Sequence, residues 1–318
     1  MENILLMGVF VLEKMIDGHF PKKTLFFLSL FFLIFLKTVF ASEISVLEKK
    51  DVVILFEDSL GSAAEKAATL YPKLRNDLEK VLVWRVNFRT RVLLVKENSA
   101  FQSMTGSKLI VAFALPERDL MVIDYSRMNR DPFTLESTMK HELCHLLLHS
   151  YIKREHLPRW LDEGIAQWVS DGLSDIVMER DSVLDEAILS GRYLRINDLA
   201  GSFPEDGKAL TLAYEESRSF IDYIVGEFGP EGILKVLDCL RQGDTVDSAF
   251  LKSFSVPFDE VERGWNERIK KRITWVTFLI NNLYQVLFFL AALALIYGFI
   301  RRLIKRRSYG DDDEEDFR

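Results

Sequence analysis

The amino-acid sequence predicts an α+β protein, and three observations lead to this prediction. Short runs rich in β-branched and aromatic residues dominate the chain between about residues 44 and 125. Beyond them, apolar residues recur almost only at helical spacing, as far as about residue 272. Two long apolar segments, one near each end of the chain, stand apart from both patterns. Strands followed by a run of helices are typical of a mixed sheet with a helical lobe.

The apolar segment near the N-terminus has the form of a secretory signal. Lys22 and Lys23 precede the apolar run 25–36, and the segment closes on the small residue Ala41. This order of a positive region, a short apolar region and a small residue predicts a signal within residues 1–41, cleaved after Ala41. Two alternatives stay open: an uncleaved signal anchor, and a true start at Met15, because the stretch before Lys22 is long for a signal.

The apolar segment near the C-terminus predicts one transmembrane helix over residues 273–300. No charged residue occurs from Leu283 to Ile300, which is about the minimum length for crossing a hydrocarbon core. Arg301 and Arg302 open a basic run, and positive residues stay on the cytoplasmic side. We therefore expect a single-pass membrane protein with a cytoplasmic tail of residues 301–318 and an extracytoplasmic domain of residues 42–272. The alternative is a buried core helix.

Composition narrows the functions open to the domain. The chain of 318 residues has a formal net charge of −7 and no basic stripe, so nucleic acid is disfavoured as a partner. Its only cysteines are Cys144 and Cys239, too few for a disulfide framework. Cys144 fits a small buried residue, and a bridge between the two cysteines stays open.

The first part of the domain is predicted to form a sheet around one helix. The stretch 44–56 has the pattern of a strand or hairpin, and 62–83 carries apolar residues at helical spacing. Three short β-rich runs follow, at Arg91–Lys96, Leu109–Ala114 and Leu120–Tyr125. The edge of this sheet at Leu109–Ala114 is a candidate surface on which an extended peptide could add as a strand.

The second part of the domain is predicted to be almost wholly helical. Gly229 and Gly243 mark expected helix ends, with Pro230 reinforcing the first. The predicted helices are Thr134–Tyr151, Trp160–Ser170, Val183–Ser190, Ala213–Phe228, Gly232–Arg241 and about Phe258–Arg272.

The first of these helices carries an HExxH motif, His141-Glu142-Leu143-Cys144-His145. Residues four apart lie on the same helix face, so His141 and His145 could both reach one metal ion. Glu142 lies on the neighbouring face, where it could hold a metal-bound water. Such five-residue strings also arise by chance, so the third ligand decides the interpretation.

A catalytic zinc normally has three protein ligands and one open position. The glycine and histidine that follow the motif in metzincins are replaced here by Leu148 and Tyr151, which excludes that class. His149 lies too far along the helix axis to complete the site, and His156 lies in a loop. The better candidate is Glu163, 18 residues after His145, on a second helix introduced by Pro158.

At this point the sequence resembles the gluzincins, zinc peptidases that use two histidines and a downstream glutamate on a second helix. More narrowly, the stretch Pro158–Trp168, PRWLDEGIAQW, is similar to the peptidase MA-like families related to the thermolysin and aminopeptidase N groups. The resemblance implies a zincin-like fold and one Zn²⁺ ion. It implies His141, His145 and Glu163 as ligands and Glu142 as the general base.

The resemblance also implies roles for three further residues. Tyr214, within Leu212–Ser217, matches the helix that supplies a tyrosine to the oxyanion in aminopeptidase N-like enzymes. A packed tyrosine with a hydrogen-bonded hydroxyl is the alternative. Asp162 and Gln167 are candidates for orienting the ligands, Gln167 by bonding a ligand imidazole, and solvent-facing positions are the alternative for both.

The predicted function is therefore a membrane-anchored zinc peptidase that hydrolyses peptide bonds with a metal-activated water and Glu142 as general base. Its expected substrates are peptides or proteins, and the membrane tether favours envelope or membrane-proximal polypeptides. One alternative is a catalytically inactive zincin-fold binding or scaffold module of the cell envelope. Another is a structural envelope protein with an accidental HExxH string. Metal content separates the structural protein from the other two.

Overall fold

The structure is a computed structural model that describes residues 44–128, 130, 132–170, 183–281 and 283–315. The predicted signal over residues 1–41, with its cleavage position after Ala41 and the alternative start at Met15, lies outside the described residues. The fold is α+β, as the sequence predicts, with a mixed five-stranded sheet and mostly helical structure after it.

The sheet has the strand order β1-β2-β3-β5-β4. Its strands are β1 (Ile44–Glu48), β2 (Val52–Glu57), β3 (Thr90–Val95), β4 (Ala112–Leu115) and β5 (Leu120–Asp124). β2, β3 and β5 run parallel, whereas β1 and β4 pair antiparallel to them as the two edges. The predicted hairpin at the start of the domain is confirmed by the β1–β2 pair. The predicted strand at 109–114 begins three residues later, because Leu109 and Ile110 belong to the approach to β4.

Helix α1 (Gly61–Leu82) connects the parallel strands β2 and β3. Its buried face repeats at helical spacing through Ala67, Leu74 and Leu78, and it packs against β2 and the motif helix. A second helix, α2 (Asn98–Thr105), follows β3 and was not predicted. It buries only Phe101, so its eight residues carry too few apolar positions for a periodic pattern.

The motif helix, α3 (Leu135–Tyr151), is mostly buried, and it packs against α1, β4 and the next helix. It begins where the Thr134 side chain accepts a hydrogen bond from the Ser137 amide, a standard N-cap arrangement. A short 3₁₀ turn at Arg154–His156 leads into α4 (Arg159–Ser170). The chain thus turns back after α3, and the predicted second helix with Glu163 is confirmed.

The helices beyond α4 begin with α5 (Val183–Ser190) and continue with α6 (Gly207–Arg241), α7 (Val246–Phe254), α8 (Phe258–Asn281) and α9 (Leu283–Glu315). Gly229 interrupts α6 with φ 74° and ψ 167°, a conformation reserved for glycine, so the two helices predicted here are real but nearly continuous. The helix α7 was not predicted.

An aromatic cluster holds the helical part of the first compact unit together. Trp160 of α4 meets the rings of Phe220 and Phe250 at centroid distances of 5.2 and 6.3 Å, and the ring of Phe258 at 5.8 Å. All four side chains are buried. This cluster fixes α4, and with it Glu163, against α6 and α7.

The described chain divides into two compact units. The first contains the described residues of Met1–Leu184 and of Leu194–Val261, and it carries the sheet and the motif helix. The second contains Asp185–Tyr193 and the described residues of Glu262–Arg318. In this second unit, Leu283–Arg302 has a mean hydropathy of 2.2 and is long and apolar enough to cross a membrane.

Candidate metal centre

Three predicted site residues converge at one point between α3 and α4. The Nε2 atoms of His141 and His145 lie 3.1 Å apart. Glu163 Oε2 lies 3.7 Å from the first and 3.5 Å from the second. Among the described residues, this is the group of His, Cys, Asp and Glu side chains close enough to hold a metal ion together.

These separations fit a metal ion with three protein ligands. Ligand atoms about 2.0–2.1 Å from one tetrahedral zinc lie about 3.3 Å from each other, close to the observed 3.1–3.7 Å. Within the described chain, the buried Glu163 Oε2 has no hydrogen-bond partner and faces the two imidazoles. A buried carboxylate oxygen needs a compensating partner, and a cation between the three atoms would supply it.

Asp162 connects His145 to a third histidine. Its Oδ1 lies 2.7 Å from His145 Nδ1, and its Oδ2 lies 2.9 Å from His149 Nε2. The carboxylate therefore bonds the nitrogen of His145 that points away from the proposed ion, which fixes the ring orientation. Asp162 is not solvent-facing, and His149 bonds Asp162 and is not among the three converging ligands.

The charged groups of the centre shift one another's acidity. Burial by itself lowers the pKa of His145, but the adjacent Asp162 and Glu163 carboxylates outweigh burial and raise that pKa well above its usual value. Burial raises the pKa values of Asp162 and Glu163, yet the neighbouring histidines lower both below their usual range. Both carboxylates are consequently ionised at neutral pH, the state in which a carboxylate can bind a metal ion.

Two of the three candidate ligands, His145 and Glu163, border a cavity of about 840 Å³ that is large enough for part of a peptide. Glu142 and Tyr214 line this cavity together with His145 and Glu163. The Tyr214 hydroxyl donates a 3.4 Å hydrogen bond to Glu163 Oε1. The two predicted catalytic residues thus face the same space as the proposed ion.

One wall of the cavity is the edge strand β4. Residues 112–115 line it, and the turn residues Pro116 and Glu117 continue the wall. β4 pairs only with β5 among the described strands, so its other edge carries backbone groups that an extended chain could pair with. The sequence predicted a strand in this region that begins three residues earlier, and peptide binding at its edge stays a prediction.

The position of Glu163 depends on a close crossing of α4 and α6. A Cβ atom on Gly164 would lie 2.6 Å from Ile221 Cγ1 and 2.7 Å from the Ser217 carbonyl oxygen. Only a residue without a side chain fits there. Gln167, one turn later, donates its amide to the Tyr214 carbonyl oxygen at 3.2 Å. The prediction that Gln167 orients a ligand imidazole is therefore wrong, and so is the solvent-facing alternative, because its side chain is fully buried.

Two residues at the centre were not predicted from the sequence. Arg159 Nε lies 3.7 Å from Glu163 Oε1, and the Arg159 guanidinium lies 4.8 Å above the ring of Phe203. The spacing of four residues between Arg159 and Glu163 on one helix could have revealed the first contact. No local sequence pattern predicts the contact of Phe203 with Arg159, because the two residues are 44 positions apart in the chain.

The cysteine in the motif is structural. Cys144 and Cys239 are both free, and Cys144 is fully buried. Burial raises the pKa of the Cys144 thiol to about 12, so it stays protonated at neutral pH and is a poor metal ligand.

Comparison with protein-family models shows which family the chain belongs to. The model of the peptidase MA superfamily matches residues 111–271, just over half of the chain. The chain belongs to the peptidase MA superfamily. The matched region begins next to β4 and contains α3, α4 and α6, so it covers every element of the metal centre. Membership in this superfamily agrees with the zincin-like, peptidase-type fold that the sequence predicts.

Comparison with individual proteins adds one distant structural similarity. No sequence among curated proteins matches this peptidase MA chain. Among solved structures, it is similar to the crystal structure of Legionella pneumophila aminopeptidase A in complex with aspartic acid, with 13% sequence identity and a TM-score of 0.43. That similarity covers 70% of this chain and 27% of the aminopeptidase, so the chain spans little more than a quarter of that protein's length.

Proposed function

We propose that this peptidase MA protein is a zinc-dependent peptidase anchored to the membrane by one helix. The single observation that carries the proposal is the convergence of His141 Nε2, His145 Nε2 and Glu163 Oε2 at separations suited to one zinc ion. The donor set supports zinc as well, because two imidazoles and one carboxylate leave a fourth position open for water or substrate.

Zinc held by these three residues would supply a Lewis acid and lower the pKa of a coordinated water from about 15.7 towards about 7. Glu142 follows His141 in the motif and lines the same cavity. In the proposed mechanism its carboxylate takes the proton of the attacking water and passes it to the leaving amine. Its burial, at 1% exposure, strengthens its electrostatic interactions with groups in the site.

Tyr214 and Asp162 have supporting parts in the same mechanism. The Tyr214 hydroxyl donates to Glu163 Oε1 and borders the cavity, so a small movement would let it donate to the oxyanion of the tetrahedral intermediate. Asp162 holds the His145 ring through Nδ1, which leaves Nε2 as the nitrogen directed at the metal.

The edge strand in the cavity wall supports a peptide or protein as the substrate. An extended peptide could pair with the edge strand β4, which lies in the cavity wall, and this pairing would use backbone groups with little sequence preference. Anchoring through Leu283–Arg302 would keep the cavity close to the membrane and favour envelope or membrane-proximal polypeptides.

Zinc stoichiometry of the full chain purified in detergent tests the proposal. We expect one zinc per chain by elemental analysis for the unaltered protein and for Glu142→Gln. We expect almost none for Glu163→Ala. Glu155→Gln is the matched control, because Glu155 lines the cavity but lies outside the group of three ligands. Glu142→Gln should also lose peptide hydrolysis by a factor of about 10² or more, because it removes the proton acceptor.

The possible results separate the proposal from its alternatives. A chain that neither contains zinc nor takes it up would overturn the metal-dependent function. A chain that binds one zinc but cleaves no member of a mixed peptide library would support the inactive binding module instead. Zinc retained by Glu163→Ala would mean that another residue is the third ligand.

A further inference from the structure

The two carboxylate oxygens of Glu163 have different surroundings. Oε2 faces the two histidines, as described above. Oε1 faces away from them and has two protein partners, the Tyr214 hydroxyl at 3.4 Å and Arg159 Nε at 3.7 Å. One oxygen is thus held by the protein, while the other is directed at the proposed ion.

Arg159 is itself held in place by an aromatic stack. Its guanidinium lies over the Phe203 ring, and the Phe203 ring meets Tyr214 edge-on at a centroid distance of 5.1 Å. The backbone amide of Arg159 donates to the Ala200 carbonyl oxygen at 2.9 Å, in the same segment as Phe203. Arg159, Phe203, Tyr214 and Glu163 therefore form a closed ring of contacts beside the metal centre.

We infer that Arg159 is a positioning residue, which holds Glu163 Oε1 so that Oε2 alone points at the metal. The inference rests on the proposed metal-dependent function and deepens it. Arg159 is suited to this role because guanidinium is always charged and is planar, so it can stack on Phe203 while it attracts the carboxylate. A lysine ammonium could supply the charge but not the flat stacking surface.

The same contact has a consequence for Tyr214. In the structure its hydroxyl donates to Glu163 Oε1, so a move towards the substrate oxyanion removes one donor from that oxygen. Arg159 stays beside Oε1 and keeps the charge of the carboxylate compensated during that move. The tyrosine can therefore change partners without leaving a buried carboxylate oxygen unpaired, which would be costly.

The zinc affinity of the full chain, purified in detergent, tests the inference. It is measured by competition with a chromophoric chelator, and zinc is the only ligand added. We expect Arg159→Gln to raise the zinc dissociation constant about 10- to 100-fold, the range typical for groups that orient a metal ligand. Arg159→Lys should recover part of the loss. Phe203→Leu should show a smaller loss, because it removes the stacking surface and leaves the charge.

Arg195→Gln is the matched control. Arg195 pairs with Asp198 through two 3.1 Å contacts in the segment that leads to Phe203, but it is 77% exposed and absent from the cavity wall. We expect its zinc affinity to equal that of the unaltered chain. Thermal unfolding in excess chelator should be nearly the same for both arginine variants, which would show that Arg159→Gln acts on the metal site and not on folding.

A double variant separates action through Glu163 from a general structural effect. If Arg159 acts through the Glu163 carboxylate, adding Arg159→Gln to Glu163→Gln should weaken residual zinc binding by less than twofold. An additional loss as large as in the unaltered background would overturn the inference. So would an Arg159→Gln chain with unaltered zinc affinity, whereas an unaltered chain without any zinc affinity would overturn the proposed function itself.

Discussion

At the residue scale, the candidate site is built from buried polar side chains, and the cost of burying them must be offset by specific partners. Glu142, His141 and Glu163 are at most 8% exposed, in a protein whose other buried residues are mainly apolar. Burying such groups is costly unless they are paired or bind a metal. Asp162 bonds His145, which reduces the cost of burying that histidine. The Tyr214 hydroxyl and the Arg159 charge lie beside Glu163 Oε1, so a cation is needed only at the point where the candidate ligands meet.

Tyr214 is the residue whose role a single substitution can decide. If its hydroxyl stabilises the oxyanion, Tyr214→Phe should lower kcat by a factor of about 10² to 10³, as for other oxyanion donors. KM should stay nearly unchanged, because the interaction is made only in the transition state. Steady-state kinetics on a peptide from a mixed library gives both constants, with zinc content measured on the same samples.

Tyr71→Phe is the control for this prediction. Tyr71 is also a buried tyrosine, and its hydroxyl bonds Thr90 Oγ1 at 2.7 Å, far from the cavity lining. Its loss should lower stability by roughly 1 kcal/mol and leave kcat unchanged. Equal, small effects of both substitutions on kcat would identify Tyr214 as a packed tyrosine only.

At the scale of elements, the helices α3 and α4 could be predicted from the sequence, but the contacts of their side chains with distant segments could not. The motif and the helical pattern around it define α3 from local sequence, and Pro158 marks the approach to α4. The short helices α2 and α7 escaped prediction, because each buries at most two residues and so shows no apolar pattern at helical spacing. The contact of Arg159 with Phe203 depends on how distant segments pack, and periodicity carries no information about that.

The crossing of α4 and α6 is the element-scale feature that most directly supports the metal centre. Gly164→Ala places a methyl group within 2.7 Å of the Ser217 carbonyl oxygen and of Ile221 Cγ1, so the two helices must move apart. We expect the free energy of unfolding to fall by about 1–3 kcal/mol, as for other overpacked sites. Zinc affinity should fall too, because Glu163 precedes Gly164 on α4. Urea unfolding and chelator competition measure the two effects.

Gly61→Ala is the comparison for that prediction. A Cβ atom at Gly61 would meet only Phe56 Cε2, at 4.0 Å, so the substitution is sterically free and lies at the start of α1. It should leave stability unchanged or raise it slightly, by up to about 1 kcal/mol, through the lower entropy of the unfolded chain. A Gly164→Ala chain that is as stable as Gly61→Ala would show that the crossing is looser than the structure indicates.

At the scale of the whole molecule, the long apolar helix near the C-terminus is the feature that bears on the location of the protein. In Leu283–Arg302 the large apolar side chains are exposed, among them Leu287, Phe288 and Phe299. A water-soluble protein rarely exposes so many in one stretch, which supports the proposed membrane anchor. The basic run that begins at Arg301 and Arg302 follows the apolar stretch directly and favours a cytoplasmic C-terminus.

We predict that Leu283–Arg302 is the anchor and that the chain beyond it lies in the cytoplasm. A chain ending at Asn281 should leave the membrane pellet in an alkaline carbonate wash, whereas the full chain should stay in it. A chain ending at Arg307, which removes only the acidic tail, is the control and should also stay. A fluorescent protein that folds only in the cytoplasm should be fluorescent when it is fused to the C-terminus. A fusion protein that is present in the membrane but not fluorescent would contradict this orientation. The candidate metal centre would then lie in the cytoplasm, and cytoplasmic proteins would be the substrates to test.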